Sequence, residues 1–144
     1  MADSSFFAKD GYSTQTVSTF QQIVDDAIDN AGAIAPKTLT VINPNPNDLP
    51  EVTLFYVKND VTVSKINAVC RGSSPAVSYS LRFGPNRSAS GTEVVTGGLL
   101  CSDTTTGTQT TAFNNATVPA GSFLWLKVTA ISGSVDEFSV TLSF

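Results

Sequence analysis

Few side chains in this 144-residue chain have types or spacings that could carry chemistry. Glu93, Asp103, Asp136 and Glu137 are the best-placed carboxylates, but their spacing does not suggest the pair of carboxyls that glycoside hydrolysis requires, and they read as solvated loop and edge charges. The Asp and Asn residues of the loops lack the dense Asp-x-Asp-x-Asp run of a calcium loop. Gly97-Gly98 has neither the following Lys nor the helix that would aim backbone N–H groups at a phosphate. There is no histidine, which removes Ser-His-Asp and Cys-His catalysis and any histidine metal site. Cys70 and Cys101 are compatible with one disulfide without requiring it; with no CxxC or zinc-ligand set, they read first as buried small apolar residues. Asn86-Arg87-Ser88 and Asn115-Ala116-Thr117 match glycosylation acceptors, which matter only in a secreted eukaryotic protein. The expectation is a non-enzymatic protein with no cofactor and no metal.

The remaining functional candidates are aromatic and aliphatic, and all are candidates for partner binding. Phe6 and Phe7 form an aromatic pair in an irregular leader, over residues 1–13, that ends near the turn signal Asp10-Gly11. Phe20, Ile23, Val24, Ala27, Ile28 and Ala31 recur at the spacing of an amphipathic helix over about residues 18–31. Ser18 with Gln21 fits a capping box, and Gly32 and Pro36 stop the helix. Asp25, Asp26 and Asp29 oppose the macrodipole there, so packing of the apolar stripe must hold the helix. Phe123 and Trp125 fall on the outward phase of a late strand, to be covered by the arm or to face a subunit or a sugar.

Composition excludes several partners. Only 14% of residues are charged and 41% are apolar, with abundant Ser and Thr, a balance typical of strands whose outer faces carry hydroxyls. A net charge of −4 and a pI near 4.5 speak against nucleic acid and anionic membrane. No apolar run is long enough for a membrane span, and Met-Ala-Asp-Ser-Ser is unlike a secretory signal, so synthesis in a cytoplasm is expected. A chain of this length folds as one domain without staples and buries roughly 68–70% of its unfolded surface.

The elements that must position these residues divide near Pro50. Residues 1–50 read as an anchoring arm whose Thr38–Glu51 stretch, broken by Pro44, Pro46 and Pro50, is a semi-rigid spacer containing a short extended piece at Leu39 and Val41. Residues 51–144 read as a β module. Its strands are Glu51–Lys58; Asp60–Arg71 with a bulge near Ser64-Lys65 and Cys70 inward; Ala76–Phe83 with Val77, Tyr79, Leu81 and Phe83 on the core face; and a short Glu93–Thr96. Ser102–Thr111 is an exposed ribbon or loop, and Phe113 returns to the core. Ser122–Ile131 follows the Val118–Gly121 turn, Ser132-Gly133-Ser134 makes a hairpin, and Phe138, Val140, Leu142 and Phe144 mark the last strand. Seven or eight short strands imply a mainly β fold, an antiparallel β-sandwich of jelly-roll or Ig-like type, preceded by an arm with one amphipathic helix.

Ile66–Val69, the block SLRFGPNRSASGTEVVTGG over Ser80–Gly98, the Phe113–Leu126 stretch and the closing SGSVDEFSVTL resemble a β-sandwich module of structural proteins of tailed bacteriophages, over roughly residues 52–144. The resemblance implies a virion protein made in the host cytoplasm. It would be a capsid decoration or cement protein, a head fibre or a piece of a tail fibre, usually a homotrimer. A decoration protein would have the major capsid protein or other virion subunits as partners, with no nucleic acid or membrane contact. The alternatives are a tail or tail-fibre component, as adaptor or host-contact module, and, from another class, a small carbohydrate-binding module with Trp125 as its stacking surface.

Overall fold

The computed structural model of the protein describes residues 34–144, whose compact unit is Ala35–Phe144. The leader and the helix expected over residues 18–31 lie outside the described residues. Nine strands run β1 Lys37–Ile42, β2 Glu51–Val57, β3 Val61–Thr62, β4 Lys65–Gly84, β5 Thr92–Glu93, β6 Leu99–Cys101, β7 Thr108–Thr110, β8 Thr117–Val118 and β9 Ser122–Ser143. All pairings are antiparallel, and the described residues contain no helix.

Two long strands organise the rest. β4 and β9 pair along their length, from Lys65↔Ser143 to Gly84↔Phe123. The other edge of β9 receives β1 along Glu137–Leu142 and β2 along Ser122–Lys127. The other edge of β4 receives β7 at Ile66–Ala68, β6 at Val77–Tyr79 and β5 at Arg82–Phe83. β3 and β8 form a separate small pair, Val61↔Val118 and Thr62↔Thr117.

Period-two alternation explains both long strands until their middles. In β4 the buried residues are Ile66, Ala68 and Cys70, then Val77, Tyr79, Leu81 and Phe83: even numbers become odd. β9 buries Leu124, Leu126 and Val128, then Val135, then Phe138, Val140 and Leu142. A one-residue slip sends side chains to the opposite face, so extra residues must absorb each change of phase. The register indeed shifts between Arg71 and Gly72, between Ser73 and Ala76, and between Ser78 and Tyr79. These bulges let both ends of the ribbon bury apolar side chains, and they also bend it. Tyr79 pairs with Val128, and Phe138 pairs with Cys70, nine residues away along β4. A flat strand would separate those positions by about 30 Å. The rings are nonetheless 5.0 Å apart, so the ribbon bends sharply between them and the residues flanking the bend face each other.

Three expectations change. Ser132-Gly133-Ser134 is not a hairpin: Gly133, at φ +73°, lies opposite a bulge of β4 at Ser74 and Pro75, and β9 continues to Ser143. The strand expected over Asp60–Arg71 is divided, the bulge expected near Ser64-Lys65 being a break between β3 and β4, and its part from Lys65 onward is joined to the strand expected over Ala76–Phe83 as β4. There the N–H groups of Val63 and Ser64 donate to the Ala116 and Ser143 carbonyls. The compact unit begins at Ala35, so the boundary expected at Pro50 falls inside it. The intended spacer supplies β1, because Leu39 and Val41 alternate with Thr38 and Thr40 and can half-bury themselves beside β9.

The central bulge has little room. A Cβ on Gly133 would collide with the Ser74 carbonyl, and one on Gly72 with the Ser134 carbonyl. Gly133→Ala is therefore expected to destabilise the protein by more than about 2 kcal/mol in urea unfolding. Gly97→Ala, at φ +88° with nothing within 4 Å of the added carbon, serves as the control and should cost only about 1 kcal/mol.

Candidate functional site

Each of the four carboxylates singled out in the sequence lies in a different local setting. Glu93 Oε2 accepts from Arg82 Nη2 at 2.9 Å while Oε1 accepts from the Gly97 N–H at 2.8 Å, tying β5 to the next turn. Asp103 Oδ1 accepts from the N–H groups of Thr105, Thr106 and Gly107 at 2.8–3.1 Å and from the Thr105 hydroxyl at 3.1 Å. These bonds, led by the one from the Thr105 amide, hold its carboxyl below the usual carboxylate range against a smaller opposing effect of burial. Glu137 lies 3.9 Å from Arg71, a largely exposed pair of little energetic weight. Asp136 is exposed, and its backbone carbonyl accepts from the Asn43 N–H at the end of β1. Among the described residues no three His, Cys, Asp or Glu side chains gather as a metal site.

The aromatic pair on β9 is divided by its surroundings. Trp125 faces Arg82 of β4 and Thr53 of β2 in register, on the face opposite Leu124 and Leu126. The segment from Gly84 to Gly91 folds over it. Gly91 lies so close to the indole that a Cβ there would sit 2.7 Å from Cζ2 and 2.9 Å from the Phe83 carbonyl. The Arg87 guanidinium lies 4.6 Å from the ring centroid, while its Nε donates to Thr53 Oγ1 at 2.9 Å and Nη1 to Glu51 Oε2 at 3.2 Å. Arg82 Nη1 donates to the Ser90 carbonyl at 2.9 Å and pins the other end of the loop.

Trp125 is consequently 0% exposed. The expectation that Trp125 is covered by the arm or faces a subunit or a sugar is corrected: its phase is outward from Leu124 and Leu126, but the chain's own loop covers it and its face is closed to a sugar. Phe123 is half-buried and meets Tyr56 edge-on, with centroids 5.1 Å apart, leaving Tyr56 about half exposed. The loop's role was not legible beforehand. Gly84 and Gly91 mark its ends in the sequence, but nothing local announces that an arginine between them will lie on a tryptophan 38 residues later.

Phe6, Phe7, Phe20, Ile23, Val24, Ala27 and Ile28 lie outside the described residues. At the other end of the ribbon the surface is neutral and hydroxylic. Thr38 and Thr141 share a hydrogen bond of 2.8 Å, and Thr40 and Ser139 one of 3.1 Å. A shallow cavity of about 170 Å³ lies there among Asn67, Val69, Thr106, Gly107, Ser139 and Thr141. No family model, curated protein or solved structure matches this chain.

Trp125 is the single tryptophan of the chain and thus reports on its own cover. Arg87→Ala should shift its emission to the red, increase quenching by acrylamide and lower stability by about 1–2 kcal/mol. Unchanged emission and quenching would show that Arg87 does not hold the loop. Asp103 makes a second test. Because its folded pKa lies below the unfolded one, its contribution is full above the unfolded value, about 3.9, and is lost as pH falls through the folded value. The difference in urea midpoint between the wild type and Asp103→Asn, measured from pH 6 to pH 2, should therefore shrink below about pH 4.

Proposed function

We propose that this chain is a non-enzymatic structural protein of a tailed-phage virion, a capsid decoration or cement protein attached through the residues preceding Ala35. The observation that carries this reading is a partition of charge. In residues 35–144 seven Lys and Arg balance seven Asp and Glu, whereas residues 1–34 hold one Lys against five Asp and carry the whole net charge of −4. The arginines of the compact unit also face its own carboxylates, in the pairs Arg71–Glu137, Arg82–Glu93 and Arg87–Glu51. A neutral body with hydroxyls on its surface can pack beside its copies without net repulsion.

The energy of attachment then resides in the N-terminal segment. Phe6, Phe7 and the stripe Phe20, Ile23, Val24, Ala27 and Ile28 offer roughly 1.5–3 kcal/mol for each large side chain buried on the major capsid protein or a sister subunit, before the costs of association. Repetition over a homotrimer makes such attachment lasting.

The finer architecture in this reading is a β-sandwich. One layer is β1, the C-terminal half of β9, the N-terminal half of β4 and β7; the other is β2, the remaining halves of β9 and β4, and β6 with β5. Two aromatic contacts support two facing layers. Tyr79 meets Phe138 at 5.0 Å, and Phe55 of β2 meets Phe144, just beyond β9, at 5.6 Å.

Tagged protein supplied in trans during infection tests the proposal. Full-length chain should enter particles, and gold labelling should place it over the head. A chain lacking residues 1–34 should give a β-type circular dichroism spectrum and a cooperative melt, yet be absent from particles. Normal incorporation of the truncated chain would sink the proposal, and label confined to the tail would favour the tail-fibre alternative.

A further inference from the structure

The two cysteines occupy a junction. Cys70 is the last inward residue of β4 before the irregular stretch, with Phe138 as its register partner. Cys101 ends β6 and pairs with Val77, beyond that stretch. Although 31 residues apart in sequence, their sulfurs stand 3.9 Å apart, and both side chains are 0% exposed. Backbone holds them on both sides: the Cys70 N–H donates to the Asp103 carbonyl at 3.0 Å, and the Cys70 thiol lies 3.6 Å from the Cys101 carbonyl and 3.7 Å from that of Asp103. Side-chain rotation can bring sulfurs at this separation toward the bonded distance of about 2.04 Å.

We propose that Cys70 and Cys101 are a latent disulfide, a modification site at which a small-molecule disulfide such as oxidised glutathione ties the end of β6 to the bend of β4. One cysteine thiolate attacks a sulfur of oxidised glutathione, forming a mixed disulfide and expelling a glutathione thiolate. The second cysteine thiolate then attacks the protein sulfur of that mixed disulfide, expelling the other glutathione. Two protein thiols have lost two protons and two electrons, and one oxidised glutathione has become two reduced ones.

The fold also decides when this happens. Burial, followed by the neighbouring Cys101, pushes the Cys70 thiol up to about 12, so the folded protein holds a protonated and inaccessible sulfur where exchange needs a thiolate in reach of its oxidant. In the unfolded chain both thiols are in water and ionise near their ordinary value of about 8.5. Exchange therefore belongs to folding, and the finished core shields whichever redox form was present when it closed.

The test uses full-length protein, unfolded and reduced, then refolded in parallel in reduced glutathione and in a mixture of reduced and oxidised glutathione. Oxidative refolding should give a monomer two hydrogens lighter, with no free thiol in denaturant and a Cys70–Cys101 link in peptide mapping. Its Tm should lie about 10 °C above that of the reduced form. Reduced protein placed in the same mixture without unfolding should oxidise at least about ten-fold more slowly. Two free thiols after oxidative refolding, glutathione adducts, a disulfide-linked dimer, a bonded form melting no higher than the reduced one, or equally fast oxidation of the folded protein would each overturn the proposal.

Discussion

The structure depends on one close approach, between the backbones of β4 and β9 at their shared bulge. Gly72 lies against the Ser134 carbonyl and Gly133 against that of Ser74, at separations no Cβ could occupy. Were the two strands regular throughout, one face of a ribbon about twenty residues long would have to lie on something else to be buried. The bulge instead bends the ribbon and lets both of its halves bury an apolar face. Ile66, Phe138 and Leu142 from one end, and Leu81, Leu124 and Leu126 from the other, become nearly inaccessible to water. The short strands then find their places as additions to the free edges of β4 and β9.

Charge in this fold serves as fastening. Asp103 closes a turn, Asp60 Oδ1 accepts from the Ala120 N–H at 2.8 Å, and Glu93 links Arg82 to the turn at Gly97. The two arginines beside Trp125 divide the work of covering it, one holding the end of the loop and the other lying on the ring. A polar or ionic partner taken from within the chain leaves less for a ligand, and the surface that remains is mostly neutral hydroxyl and amide. This economy fits a body that is carried in position by another segment.

The strands were largely legible in the sequence where one face is buried. Val77, Tyr79, Leu81 and Phe83 alternate cleanly because β4 has a core face and an outer face there, and Leu124, Leu126 and Val128 do so on β9 for the same reason. Legibility failed where a local signal has two tertiary outcomes. Ser-Gly-Ser between apolar runs serves a hairpin as well as a bulge, and only the partner strand decides between them. Prolines around Asn43–Pro50 marked irregular chain and Leu39 and Val41 the extended piece before them, but only the edge offered by β9 makes that piece a strand of the compact unit. Outward phase was read correctly for Trp125, yet phase cannot reveal a loop that folds back over it.

By itself, then, sequence determined the mainly β character, the inward phase of Cys70 and of the strand cores, and the absence of a histidine-based chemistry, since these follow from residue type and short-range period. Tertiary structure decided that two strands run unbroken through a bend, that Trp125 is interior, that the arginines face the chain's own carboxylates, and that two distant thiols meet. The physical reason is common to all four: each depends on atoms brought within a few ångströms by strand pairing, by the bend at the β4–β9 bulge or by a loop folding back, and not by any local preference.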